Sequence, residues 1–179
     1  MKTTRVLISA LLLCLILTGC GKQKAADFRS VNWGDTQAKV HRSEDIEYAY
    51  ADDELVMYIT EMGGEPIEVY YTFEDNRLIE AEVKFIIGER LLTDIVESYD
   101  NMAEYLTEIY GEPINPDKLV WLEDSEDFRN DVYGTAIYFE KLEFLLEWKT
   151  DTTYARLELS YSSSKNVITY LLYAKDINL

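Results

Sequence analysis

An unbroken apolar run over residues 6–17 opens the chain, with Lys2 and Arg5 before it and Leu17-Thr18-Gly19-Cys20 at its end. After a short polar stretch the pattern becomes periodic. Phe28, Val31, Trp33 and Val40 surround Gly34-Asp35, and Asp35 stands where its carboxylate can cap a short helix that ends among Arg42, Glu44 and Asp45. A helix of about two turns is not stable alone, so the four apolar side chains are expected to pin it to a sheet. From Ile46 the period falls to two: Ile46, Tyr48 and Tyr50, then residues 55–62, then Ile67, Val69, Tyr71 and Phe73, then Ile79, Ala81, Val83 and Phe85. Gly63-Gly64 and Asp75-Asn76 punctuate these runs, which predicts an antiparallel meander with one face buried and one wet.

Residues 89–110 carry the strongest helical signal. Leu92, Ile95, Val96, Tyr99, Met102, Ala103, Leu106 and Ile109 recur at helical steps, with Glu97, Asp100, Glu104 and Glu108 between them. Gly111 supplies a C-terminal cap and Pro113 blocks continuation. A second series of strands is expected at residues 119–122, 136–140, 142–149, 154–161 and 167–173. The order helix, meander, helix, meander predicts an α+β fold. It is read as two helix-plus-antiparallel-meander units, residues 28–87 and 88–179, with the helices packed on one sheet face.

The opening run is about a dozen residues, whereas spanning a bilayer takes about 20. With positive charge before it and small residues after it, it reads as a cleaved export signal. Leu17-Thr18-Gly19-Cys20 resembles the lipobox of bacterial lipoproteins. The resemblance implies that residues 1–19 are removed, that Cys20 takes a diacylglyceryl group, and that residues 20–27 form a lipidated tether. It places the domain of residues 28–179 on the extracytoplasmic face of a bacterial cell membrane, where two acyl chains anchor stably and one would not.

Charge and cysteine content narrow the functional classes. Loss of Lys2 and Arg5 takes the 17 basic residues to 15 and, against 34 acidic ones, the net charge from −17 to −19. Such a surface repels nucleic-acid phosphates, so no nucleic-acid partner is expected. Cys14 leaves with the signal and Cys20 carries lipid, so disulfides, thiol catalysis and cysteine metal sites are excluded from the folded domain.

A second resemblance covers most of residues 28–174. Phe28…Trp33-Gly34-Asp35…Val40…Glu44, the helix ending Tyr110-Gly111-Glu112-Pro113, and Trp148…Leu157-Glu158-Leu159…Tyr170 look like small envelope lipoproteins of the β-lactamase-inhibitor-protein-like group. Outer-membrane-assembly lipoproteins are similar in style. The resemblance implies binding or envelope assembly through an exposed sheet face and loops, and it implies no shared catalytic site.

Candidate chemistry is sparse. His41 is the single histidine, on a short charged helix, with no nucleophile motif or second histidine to pair with. Residues 160–164 form a turn without a partner base, and no phosphate loop or zinc motif is present. The chain is therefore read as non-enzymatic and without a cofactor. The acidic stretch of residues 123–131, with Glu123, Asp124, Asp127, Asn130 and Asp131, has calcium-ligand chemistry but lacks the ligand alternation and central glycine of an EF-hand loop. It supports the alternative reading of a calcium- or small-ligand-binding domain, with Glu123, Asp124, Asp127 and Asp131 as its ligands. Among 14 tyrosines, the alternation sends Tyr70 and Tyr154 to the face opposite Val69 and Leu157. Tyr58 and Tyr170 are expected to join them there. Tyrosine anchors suit protein interfaces, so these four are the candidate contacts for a protein partner.

Overall fold

A computed structural model describes residues 26–122, 133–163 and 167–178. The lipobox residues and the acidic stretch of residues 123–131 lie outside them. The chain is a mixed fold of helices and antiparallel sheet. In order it runs through α1 (Gln37–Glu44), β1 (Tyr50–Ala51), β2 (Leu55–Met62), β3 (Glu65–Glu74), β4 (Arg77–Phe85) and α2 (Leu92–Tyr110). It continues through β5 (Leu119–Trp121), α3 (Tyr133–Tyr138), β6 (Leu142–Lys149), β7 (Thr153–Ser162) and β8 (Val167–Asp176). Among the described residues the eight strands form one sheet in the order β1-β2-β3-β4-β8-β7-β6-β5. The last strands of the two strand series, β4 and β8, thus meet at its centre.

Alternation divides the sheet into two faces. Val56, Tyr58, Val69, Tyr71, Val83, Leu172, Leu157, Phe144 and Trp148 point to one side and are buried. There α2 lays Ile95, Tyr99, Met102 and Leu106 on the sheet, with the Tyr99 ring edge-on to Phe144 and its hydroxyl donating to the Leu157 carbonyl at 3.2 Å. The first strand series is covered by residues 28–33 and α1: Phe28 packs edge-on to Tyr71, Trp33 stacks on Phe28, and Val40 is fully buried. No helix among the described residues covers the opposite face.

Several sequence expectations are corrected by packing. Residues 136–140, expected as a strand from their β-favouring Ile, Tyr and Phe, lie largely in α3. Gly134, Ala136 and Ile137 are buried together there, and a Cβ on Gly134 would sit 3.3 Å from the Leu92 side chain, so docking on α2 selects the helix over local propensity. Asp35 does not cap α1. Its carboxylate accepts from the Asn32 N–H at 3.1 Å and pairs with Lys39 at 2.7 Å, and the N-cap position is Thr36, which makes no side-chain cap bond. Ile46, Tyr48 and Tyr50 do not line the core: only Tyr50–Ala51 pairs with β2, at the sheet edge, and all three are exposed. In β4, Leu78 rather than Ile79 enters the core, because Ile79 is the extra residue of a bulge opposite Thr72 and Phe73. Finally, α2 starts at Leu92, three residues later than Glu89.

A buried ion pair ties the opening segment to the sheet. The Glu44 carboxylate, 2% exposed, accepts from Arg29 Nε and Nη2 at 3.3 and 3.1 Å, from Ser30 Oγ at 3.2 Å and from the Tyr71 hydroxyl. Arg29 also donates to the Glu61 carbonyl at 3.0 Å. Burial opposes the Arg29 charge, but the Glu44 hydrogen bonds and charge outweigh it and hold the guanidinium above its ordinary range.

Candidate interaction face

The uncovered face is built by the residues that alternate with the core. Register aligns Met57, Tyr70, Glu82, Tyr173, Arg156 and Glu147 in one row across β2, β3, β4, β8, β7 and β6. With strands about 4.8 Å apart, the row is roughly 24 Å long. A neighbouring row holds Thr72, Glu80, Lys175, Tyr154 and Lys149. On the other side Ile59, Glu68, Lys84, Leu171, Glu158 and Leu145 line up.

Each tyrosine of this face is tied to a carboxylate. Tyr70 donates to Glu68 at 2.7 Å, Tyr173 to Glu80 at 2.7 Å, and Tyr154 to Glu147. The rings meet cations as well: Lys84 Nζ lies 4.3 Å from the Tyr70 centroid and Lys175 Nζ 6.0 Å from that of Tyr154. Lys84 pairs with Glu82 at 3.1 Å, and Arg156 with Glu158 at 2.7 Å. The hydrogen bond to Glu68, then burial, pushes the Tyr70 hydroxyl up to about 12. Burial, then the bond to Glu147, raises Tyr154 to about 12. Tyr173 is raised for the same two reasons, burial and Glu80. Phenols held this high stay protonated near neutrality and donate hydrogen bonds to their carboxylates.

Of the four tyrosines expected on this face, Tyr70 and Tyr154 lie on it, half-buried among their charged neighbours. Tyr58 and Tyr170 lie in the core, 0% and 3% exposed, which corrects their assignment. Tyr58 pairs in register with Val69 and packs edge-on to Tyr71 at 5.9 Å. Tyr170 stacks on Phe85 at 3.9 Å and accepts from Ser98 of α2 at 3.4 Å. Tyr173, which sequence reasoning passed over, takes the place expected of Tyr170. The run Tyr170-Leu171-Leu172-Tyr173 is apolar on both parities, so its facing could have been found only by registering β8 against Arg156 and Glu158 of β7.

His41 is exposed on α1, its ring edge-on to Tyr48 at 5.4 Å and its Nδ1 3.3 Å from the Tyr58 hydroxyl. These two tyrosines, with Gln37, Ala38, Ala51 and Val56, line a small cleft of about 230 Å³. The side chain within hydrogen-bond reach of this histidine is the buried Tyr58 phenol. Among the described residues no group of three or more His, Cys, Asp or Glu side chains is placed to hold a metal ion. The calcium candidates Glu123, Asp124, Asp127 and Asp131 fall outside those residues. No described helix is long and apolar enough to cross a membrane.

No family model, no curated protein and no solved structure matches the chain.

Proposed function

We propose that this chain is a lipid-anchored protein of the extracytoplasmic face of a bacterial membrane, acting as a non-enzymatic protein-binding or envelope-assembly module. Leu17, Thr18, Gly19 and Cys20 carry the anchor in this reading, and the open sheet face carries the partner contact. The supporting observation is the face itself: a sheet whose other side is fully covered leaves Tyr70, Tyr154 and Tyr173 standing in ordered rows of Met57, Ile59, Leu171 and paired charges. Rigid aromatic anchors beside satisfied polar groups are the ordinary composition of a protein interface. The finer fold reading, two helix-plus-meander units with a junction near Gly88, belongs to the same proposal. It is supported by the strand order, which runs outward from β4 and β8 to both edges.

A photo-crosslinking residue placed on intact cells at Tyr70 or Tyr173, with Glu104 on the outer side of α2 as control, tests the face. Adducts to one defined partner from the two sheet positions and none from Glu104 support the reading. Adducts from Glu104 alone refute it.

A further inference from the structure

The point at which the chain enters the fold is held by several elements at once. Asp27, 9% exposed, accepts through its carboxylate from Thr152 Oγ1 at 2.7 Å and the Trp33 N–H at 3.2 Å. Its carbonyl accepts from Thr153 Oγ1 at 3.2 Å and from the Tyr110 hydroxyl at 3.3 Å. The Trp33 indole N–H closes the cluster on Thr153 Oγ1 at 2.8 Å. These bonds join the opening segment to the last turn of α2 and to the β6–β7 turn, around a cleft of about 250 Å³ that Ile109 also lines.

We infer that this end of the domain, bearing Asp27, Ile109 and Ile114, rests on the lipid bilayer, with the strands standing upright from it. The inference rests on the lipid-anchor reading above and adds a surface and a geometry to it. Only residues 21–26 separate Cys20 from Asp27, and six residues span at most about 20 Å. β7 starts at this clasp and rises about 30 Å to Ser162 at the far end. One large apolar side chain flanks the entry point, Ile109, 42% exposed; Ile114, 58% exposed, follows the end of α2 and its N–H donates to the Glu147 carbonyl near the end of β6. Glu108, Glu112 and Asp151 stand around them, so the contact is a shallow seating at headgroup level and not an insertion. Upright strands turn the open face sideways, towards partners arriving along the membrane surface.

The test uses the full processed protein, purified from membranes and reconstituted into phosphatidylglycerol/phosphatidylethanolamine vesicles that carry a nitroxide on the lipid headgroup. Ile109→Cys and Ser163→Cys variants are labelled with a small fluorophore. Several-fold stronger quenching at position 109 than at 163 is expected. A tether lengthened after Ala26 by about a dozen Gly/Ser residues should shrink that difference without touching the fold. Equal quenching at both positions, or stronger quenching at 163, in an acylated protein overturns the orientation and leaves the anchor reading standing. A Cys20 thiol that reacts with the label, with no acyl mass on the protein, overturns the anchor reading and the orientation with it.

Discussion

Tyr70 and Tyr71 are neighbours in β3 and end in opposite environments. Tyr71 is fully buried and gives its hydroxyl to Glu44 in a cluster closed by Arg29, while Tyr70 lies on the open face and gives its hydroxyl to Glu68. Both faces of the sheet thus use tyrosine–glutamate pairs, but with different consequences. Inside, the carboxylate has no water to fall back on and the pair holds the fold. Outside, the pair positions a ring on a surface that no described helix covers. One residue of register decides which role a tyrosine takes.

The sharpest way to break the comparison is to truncate side chains on the buried side. Phe144→Ala, under the Tyr99 and Tyr133 rings, should cost about 3–5 kcal/mol in urea unfolding, because the cavity cannot collapse between sheet and helix. Arg29→Ala should cost about 3 kcal/mol, since it strands the Glu44 carboxylate at 2% exposure; Arg29→Ala with Glu44→Gln should recover part of that loss.

Alkaline pH separates the faces by cause. Burial, ahead of the Glu44 charge, raises Tyr58 to about 12, whereas the Glu68 hydrogen bond leads for Tyr70. In both cases the folded value exceeds the ordinary 10.0, so the stabilisation is complete below pH 10 and is lost as pH climbs through about 12. Unfolding midpoints should fall over that window. Absorbance titration of Glu68→Gln should show one phenol returning towards 10, and no substitution on the open face should move Tyr58. The smallest expected effect is on the open face itself: Tyr70→Ala and Tyr154→Ala should each change stability by less than about 1 kcal/mol, because their bonds are to solvent-reached partners.

Much of this arrangement was legible in the residues. The 3.6-residue stripe from Ile95 to Leu106 and the alternation through Val69, Tyr71, Leu157 and Leu159 named helix α2 and the buried face correctly. The illegible parts are those decided by long-range contacts. Residues 136–140 favour strand locally, yet residues 133–138 form a helix because Gly134 fits against Leu92. Tyr58 stands between Met57 and Ile59, and Tyr170 beside Leu171, so neither segment's local pattern states which parity is buried. The Asp27 clasp joins residues more than 80 positions apart, and no spacing rule reaches across that distance.

The central claim, that the open face is what a partner reads, is tested most directly by crosslinking and co-purification from intact cells with the Tyr70→Ala, Tyr154→Ala double variant. The account predicts that the wild-type chain recovers a defined partner and that the double variant loses it, with the urea midpoint and membrane retention of the two chains alike. Unchanged recovery of the same partner by the double variant would contradict it.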